Sequence, residues 1–202
     1  MITANFDREK ELWEQGYLSV AGLDEVGRGP LAGPVVVGIV IFPPRTEFPH
    51  ELRDSKKFSH LQREKLEPLI RENARDFSLA EADNHYIDEF GIVEAISEAI
   101  RRAIINLKSP PEFLLCDAIL TKHHSPERQQ AIIRGDEKIA TIAAASIIAK
   151  VYRDRLMTNY HETYPQYGFD HHKGYGTAQH LSALKQHGMS PLHRKTFLHS
   201  YT

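Results

Sequence analysis

The chain has 202 residues, 41 % hydrophobic and 26 % charged, with a net charge of −2. These values fit one substantial core, or a domain with an appendage, and exclude a global basic field that would by itself announce a nucleic-acid partner. The single cysteine, Cys116, excludes an internal disulfide and a Cys-based zinc site. Met1 to Gln15 is polar and charged, unlike a signal peptide, and no apolar run reaches membrane-spanning length, so the expected location is the cytoplasm.

Phe6 to Gln15 reads as a short helix ended by Gly16. Val20-Ala-Gly-Leu then climbs to Asp24 and Glu25 and stops at Gly27-Arg28-Gly29, and a second apolar run follows, Val35 to Phe42. The pattern predicts strand, tight glycine turn, strand. Pro43-Pro44 closes the second strand. Ser59-His-Leu-Gln62 fits a capping box opening a helix with Leu61, Leu66, Leu69 and Ile70 inward, and Pro68 is placed to bend it. Phe77 to Ala82 alternates as a third strand. Gly91 precedes a strongly amphipathic helix, Ile92 to Leu107, stopped by Pro110-Pro111. Phe113 to Asp117 is the fourth predicted strand and Ala131 to Ile133 the fifth. A long helix is expected from about Asp136 to Tyr160, its first half rich in alanine; small side chains there let another backbone or a ligand come close. A last helix spans Ala178 to Gln186. Strands first in a pair, then alternating with helices, indicate an α/β sheet with a helical appendage.

The acids share one kind of position. Asp24 and Glu25 end the first strand, Asp117 ends the fourth, and Asp136 follows the fifth. An acidic turn cap would explain a bare Asp-Glu pair, but the flanking Gly-Arg-Gly favours more. Adjacent residues of a regular strand point to opposite faces, so Asp24 and Glu25 converge on one ligand only where the backbone twists. If the first and fourth strands are neighbours, all four acids meet at one edge, where they need cations to offset their repulsion. Oxygen-only ligands select Mg²⁺ or Mn²⁺ over zinc. Such sites move phosphoryl groups, with one ion activating water and a second, about 4 Å away, stabilising the leaving oxygen. Asp154 competes with Asp136 for the fourth place, but 18 residues along one helix separates them by roughly 27 Å. Arg153 and Arg155 flank Asp154, and a surface ion pair accounts for it. The adjacent pairs His123-His124 and His171-His172 lack the helical i, i+4 zinc spacing and read as solvated or phosphate-near. From His171 to Thr202 there is no acid, while Lys173, Lys185, Arg194 and Lys195 lie there, which suggests a surface for polyanions.

From about Val20 to Phe197 the sequence resembles ribonuclease HII, the type 2 ribonuclease H family. The residues that carry the resemblance are Gly22-Leu-Asp24-Glu25-Val-Gly27-Arg28-Gly29-Pro-Leu-Ala-Gly-Pro34, Asp54-Ser55-Lys56-Lys57, Asp117-Ala118, Gly135-Asp136, Ala144 to Val151, Tyr164 to Phe169, His172 to Thr177, His187-Gly188 and His193-Arg194-Lys195. Arg28 and the short N-terminal segment favour type 2 over the type 3 relatives. The resemblance implies a ribonuclease H-like α/β fold: a mixed five-stranded sheet flanked by helices, with residues 1–160 as the catalytic domain and 161–202 as a small C-terminal helical subdomain that contributes to substrate binding. It implies Asp24, Glu25, Asp117 and Asp136 as catalytic acids, the first three as ligands of Mg²⁺ or Mn²⁺. It also implies Gly27, Arg28, Gly29 and Tyr175 at the junction between ribonucleotide and deoxyribonucleotide, with Lys56 and Lys57 on phosphates. The activity it implies is hydrolysis of RNA hybridised to DNA and incision 5′ of ribonucleotides embedded in duplex DNA, leaving 3′-hydroxyl and 5′-phosphate ends. The alternatives are a non-catalytic hybrid-binding module, in which four acids would be a burden, and a two-carboxylate glycosidase, which four acids exceed. Asp117 is followed by Ala-Ile where bacterial members commonly have Gly-Asn, which leaves that turn open. The tail from Thr196 is not an evident sliding-clamp-binding peptide, and a monomer is expected.

Overall fold

A run of β-branched and small apolar residues makes β1, Val20–Val26, and a second makes β2, Val35–Ile41; they pair antiparallel from Ala21 with Ile41 to Val26 with Val36. The computed structural model describes residues 3–48, 50–52 and 54–198. Preceding β1 is α1, Asp7–Glu14. After β2 come α2, His60–Asn73, and β3, Asp76–Ala82, which pairs antiparallel with β2. Next are α3, Asn84–Ile105, then β4, Phe113–Asp117, which pairs in parallel with β1, and β5, Gln129–Ile132, which pairs in parallel with β4. The chain closes with α4, Ala140–Thr163, α5, Phe169–His172, α6, Ala178–His187, and α7, Lys195–Leu198. The order across the sheet is β3-β2-β1-β4-β5, the mixed five-stranded sheet that the family resemblance implies. No helix among the described residues is long and apolar enough to cross a membrane.

Strand alternation divides the core. Ala21, Leu23, Val35, Val37, Ile39, Leu114 and Cys116 face α3. Val40 and Phe42 face α4 and α2 on the opposite side. The alanine-rich half of α4 lies directly on β1 and β2. A Cβ at Gly22 would sit 2.1 Å from the Thr141 carbonyl carbon, and one at Gly38 would sit 2.6 Å from the Ala145 carbonyl oxygen. Glycine on the strands and alanine on the helix together set this close approach. Buried Cys116 has its thiol pushed up to about 12 by burial, which makes it a core residue and not a nucleophile.

The boundaries differ from expectation where tertiary contacts decide them. The capping box of α2 forms in full, and the helix runs through Pro68, but Leu61 is exposed and Arg63 takes the inward place. Helix α3 starts earlier than predicted, because Asp83 accepts from the Tyr86 amide; Gly91, at φ +82°, kinks it before the predicted amphipathic stretch. Helix α4 begins at Ala140 and not near Asp136. A 3₁₀ turn covers Gly135–Glu137, and the backbone of Asn5 pairs with Lys138 and Ala140, bridging across Ile139, which is extended and caps the helix. The Thr141 amide in the first turn of α4 is capped by the buried carboxylate of Glu9, which burial lifts to about 6.

At the end of β4, Ala118 adopts φ +56° inside a tight turn closed by the Ile119 amide on the Asp117 carbonyl at 2.7 Å. A left-handed Cβ is strained, and this turn is the strained γ type. Ala118→Gly therefore stabilises the protein by about 1 kcal/mol, raising the thermal midpoint by a few degrees. A lower midpoint in a thermal melt would refute the strain.

Candidate active site

The parallel pairing of β1 with β4 sets the site. Their last paired residues are Leu23 and Cys116, so one step further Asp24 and Asp117 leave neighbouring strands side by side, on the α4 face. The turn after β5 returns Gly135 to the same edge, where its amide donates to Asp117 Oδ1 at 2.7 Å. Asp136 follows at once and is buried. Asp24, Glu25, Asp117 and Asp136 line one cavity of about 650 Å³ with Gly27, Arg28, Gly29, Lys56 and Tyr175. Glu25 projects from the opposite strand face, near Cys116, one residue before β1 ends, and lines the same cavity; its partner is Arg28, at 3.8 Å. Two of the acids also hold backbone amides: Asp24 Oδ1 accepts from Glu25 at 2.8 Å, as Asp117 does from Gly135. Among the described residues no three His, Cys, Asp or Glu side chains are drawn together at metal-ligand spacing; the acids face one another across the cavity.

The electrostatics are unfavourable for four ionised carboxylates. Burial pushes Asp24 up to about 8, against a hydrogen bond from Ser146, and Glu25, Asp117 and Asp136 add to the shift. Burial lifts Glu25 to about 6, with Arg28 opposing it, and burial with nearby Asp54 and Asp117 lifts Asp136 to about 6. Partial burial works against the charge on Lys56, but Asp54, Asp136 and Asp24 hold its ammonium above the ordinary range. The donors are oxygen, several and anionic, and they are short of positive charge. That set fits a hard divalent cation of the Mg²⁺ or Mn²⁺ kind and does not fit zinc.

Each residue predicted to function has a definite place. Lys56 lines the cavity, whereas Lys57 pairs with Glu137 at 3.3 Å outside its lining. Tyr175 stands at the rim, half-exposed, with the Arg153 guanidinium 6.0 Å from its ring centre. Gly27 is needed on its inner side: φ is +96° and a Cβ would lie 2.2 Å from Arg153 Nε, whereas a Cβ at Gly29 would meet nothing within 4 Å.

Three expectations need correction. Asp154 is not in a surface ion pair with its neighbours. It is 2 % exposed and pairs with Lys150 and, at 3.4 Å, with Arg63. Successive helical residues point about 100° apart, so Arg153 turns inward and Arg155 outward to Glu64 and Glu67. His172 is not solvated: it is buried, stacked 4.4 Å from His180, and hydrogen-bonded to the Tyr167 carbonyl. The acid-free end is not a uniform basic surface, since Arg194 within it is fully buried. Residue patterns also missed Ser55, Arg63, Ser146 and Lys150, which line the cavity. Arg63 donates to the carbonyls of Ser55 and Phe58 and so fixes the lysine loop from below; the only sequence signal was a charged residue at an inward helix position.

The ribonuclease HII family model matches residues 21–201. The chain belongs to the ribonuclease HII family. Ribonuclease HII of Endomicrobium trichonymphae is 45 % identical over 197 residues, covering 98 % of this chain and 93 % of the relative. Among solved structures, ribonuclease H2 from Pyrococcus horikoshii superposes with a TM-score of 0.72 at 28 % identity, covering 88 % of this chain and 93 % of that one. A ribonuclease HII from Archaeoglobus fulgidus, solved as a complex with PCNA, gives 0.69 at 29 % identity, with 88 % and 93 % covered. The chain is thus a nuclease of the ribonuclease H class, a hydrolase of RNA in RNA–DNA hybrids, with the ribonuclease H-like fold of its family. Of the tail that carries the clamp expectation, residues 199–202 lie outside the described residues.

The shifts of Asp24, Glu25 and Asp136 fix the sign of the pH dependence. Each binds its proton more tightly folded than unfolded, so their contribution to stability is full below about pH 4 and is lost as pH rises towards 8. In EDTA, Asp24→Asn therefore melts higher than the parent at pH 8, and the difference shrinks towards pH 5. A gap that widens as pH falls would contradict the burial of Asp24.

Proposed function

We propose that Asp24, Glu25, Asp117 and Asp136 are the catalytic acids, and that Asp24, Glu25 and Asp117 hold Mg²⁺ or Mn²⁺. The observation that carries this reading is the meeting of four carboxylates from three separate chain segments in one cavity, two of whose four basic side chains, Arg63 and Lys150, are taken by Asp154, beside Gly27-Arg28-Gly29 and Tyr175. When bound, the divalent ions supply an activated water and neutralise charge on the leaving oxygen, as in other two-metal sites. The protein's own residues position the substrate. Gly29, with open space where a Cβ would be, lets the sugar approach the backbone, and Tyr175 offers a flat face to a sugar or base. A 2′-hydroxyl, donor and acceptor at once, is the local mark of a ribonucleotide. Lys56 meets a phosphate at the cavity edge as a positioning contact, and Lys57 does so once released from Glu137.

On this reading the substrates are RNA–DNA hybrids and duplex DNA with embedded ribonucleotides. Water attacks the phosphorus on the 5′ side of the ribonucleotide, leaving 3′-hydroxyl and 5′-phosphate ends. Residues 1–160 form the catalytic domain, and 161–202 contribute to gripping the duplex. The helix α4 joins the two parts, since Met157 packs with Tyr167, Phe169 and Ala183. The chain works as a monomer.

The test is a labelled duplex with one embedded ribonucleotide, incubated with Mg²⁺ or Mn²⁺ and with EDTA. Asp24→Asn and Asp117→Asn lower cleavage at least ~1,000-fold while their circular dichroism stays that of the parent. Full activity in both variants would remove the catalytic assignment. Arg28→Ala and Tyr175→Ala each slow cleavage of the single-ribonucleotide duplex by roughly tenfold or more, the effect of one lost contact; unchanged rates would remove the recognition role.

A further inference from the structure

Two arginines lie fully buried beneath the loop that joins β1 to β2, and neither forms an ion pair with a carboxylate among the described residues. Both donate to backbone carbonyls alone. Arg194 donates from Nε to Gly33 at 2.9 Å, from Nη1 to Arg28 at 3.0 Å and from Nη2 to Gly27 at 2.7 Å. Arg153 donates to Pro34, Ala32 and Lys173. Burying a guanidinium without a counter-charge is costly, and an apolar side chain would fill the space at less cost. The planar fork has a property that no apolar side chain has: it fixes the direction of several carbonyls at once.

That direction has a geometric consequence. Across a trans peptide the carbonyl and the next amide N–H point in opposite directions, and the described residues contain no cis peptide. With the Gly27 carbonyl held inward, the Arg28 amide points outward. With the Arg28 carbonyl held inward, so does the Gly29 amide. Neither amide donates to a protein acceptor among the described residues. Arg28 and Gly29 both line the cavity that holds the four acids, and the space over Gly29 is open.

We propose that Arg194 is a positioning residue for substrate recognition: by holding the Gly27 and Arg28 carbonyls inward, it presents the Arg28 and Gly29 amides to the 2′-hydroxyl and adjoining phosphate of a ribonucleotide. The inference rests on the reading of Gly27-Arg28-Gly29 given above and deepens it. It also explains why an arginine in an acid-free segment is buried. The cation acts on nucleic acid through the loop and not by touching it.

The test compares binding of a duplex carrying one ribonucleotide with binding of the all-DNA duplex of the same sequence, by fluorescence anisotropy in Ca²⁺ with the strands checked intact. The parent protein binds the ribonucleotide duplex more tightly. Arg194→Lys, which keeps the charge but loses the fork, reduces that preference by about tenfold, the worth of one to two lost hydrogen bonds. Loss of fold alone would weaken both duplexes equally. An unchanged preference in a variant that melts like the parent overturns the role of Arg194 and leaves the loop reading standing. A parent protein without any preference overturns the loop reading and this inference together. If the variant does not fold, amide hydrogen exchange on the parent decides: the Arg28 and Gly29 amides exchange fast alone and slow with the ribonucleotide duplex but not with the DNA duplex. Slow exchange in the free protein, or no protection by the ribonucleotide duplex, overturns the proposal.

Discussion

The parallel pairing of β1 with β4 at the middle of the sheet is the constraint on which the rest depends. Its register, Leu23 beside Cys116, places Asp24 and Asp117 on adjacent strands at the same height and on the same face. A slip of one residue would send Asp117 to the α3 face and break the site. The register is secured on both sides. Leu23 and Cys116 pack in the α3 core, and α4 lies so close on β1 that Gly22 has no room for a Cβ. The contacts that stabilise the sheet therefore also place the four acids, and the small residues that admit α4 are part of that placement.

Burial of the acids is costly in itself. Asp24 is 6 % exposed and carries a pKa near 8, so its ionised form is disfavoured until positive charge arrives. The protein supplies little of that charge. Arg28 leans towards Glu25, Lys56 borders the cavity, and Lys150 and Arg63 are occupied by Asp154. The deficit suits the cavity to hard cations, which is the basis of the metal-binding proposal. Beneath the neighbouring loop the charge balance is reversed: Arg153 and Arg194 are buried cations satisfied by carbonyls. One half of the site gathers anions and the other gathers cations, with the Gly27-Arg28-Gly29 loop between them.

Much of this is legible in the sequence because the signals are local. β-Branched runs mark the strands, Ser59 and Gln62 mark a helix start, and acids at strand ends mark an edge. The Gly-Arg-Gly stretch and the later blocks place the chain in its family. What is not legible depends on distant partners. Asn5 and Glu9, far away in the sequence, fix where α4 begins. Asp154 between two arginines reads as a surface ion pair, yet the helix turns each of the three in a different direction. Arg194 reads as part of a basic surface, because sequence shows charge but not burial. The left-handed Ala118 is equally hidden, since only the turn after β4 reveals that an alanine stands where glycine would be unstrained.

The central claim is that four carboxylates form one cavity that takes up divalent ions, with Asp24 protonated until they bind. Calorimetric titration of the metal-free protein with Mn²⁺ at pH 7, repeated in buffers of different ionisation enthalpy, measures the protons released on binding. With Asp24 near 8, binding releases close to one proton, and Asp24→Asn abolishes most of that release. Binding without proton release, or release that survives Asp24→Asn undiminished, would contradict the account.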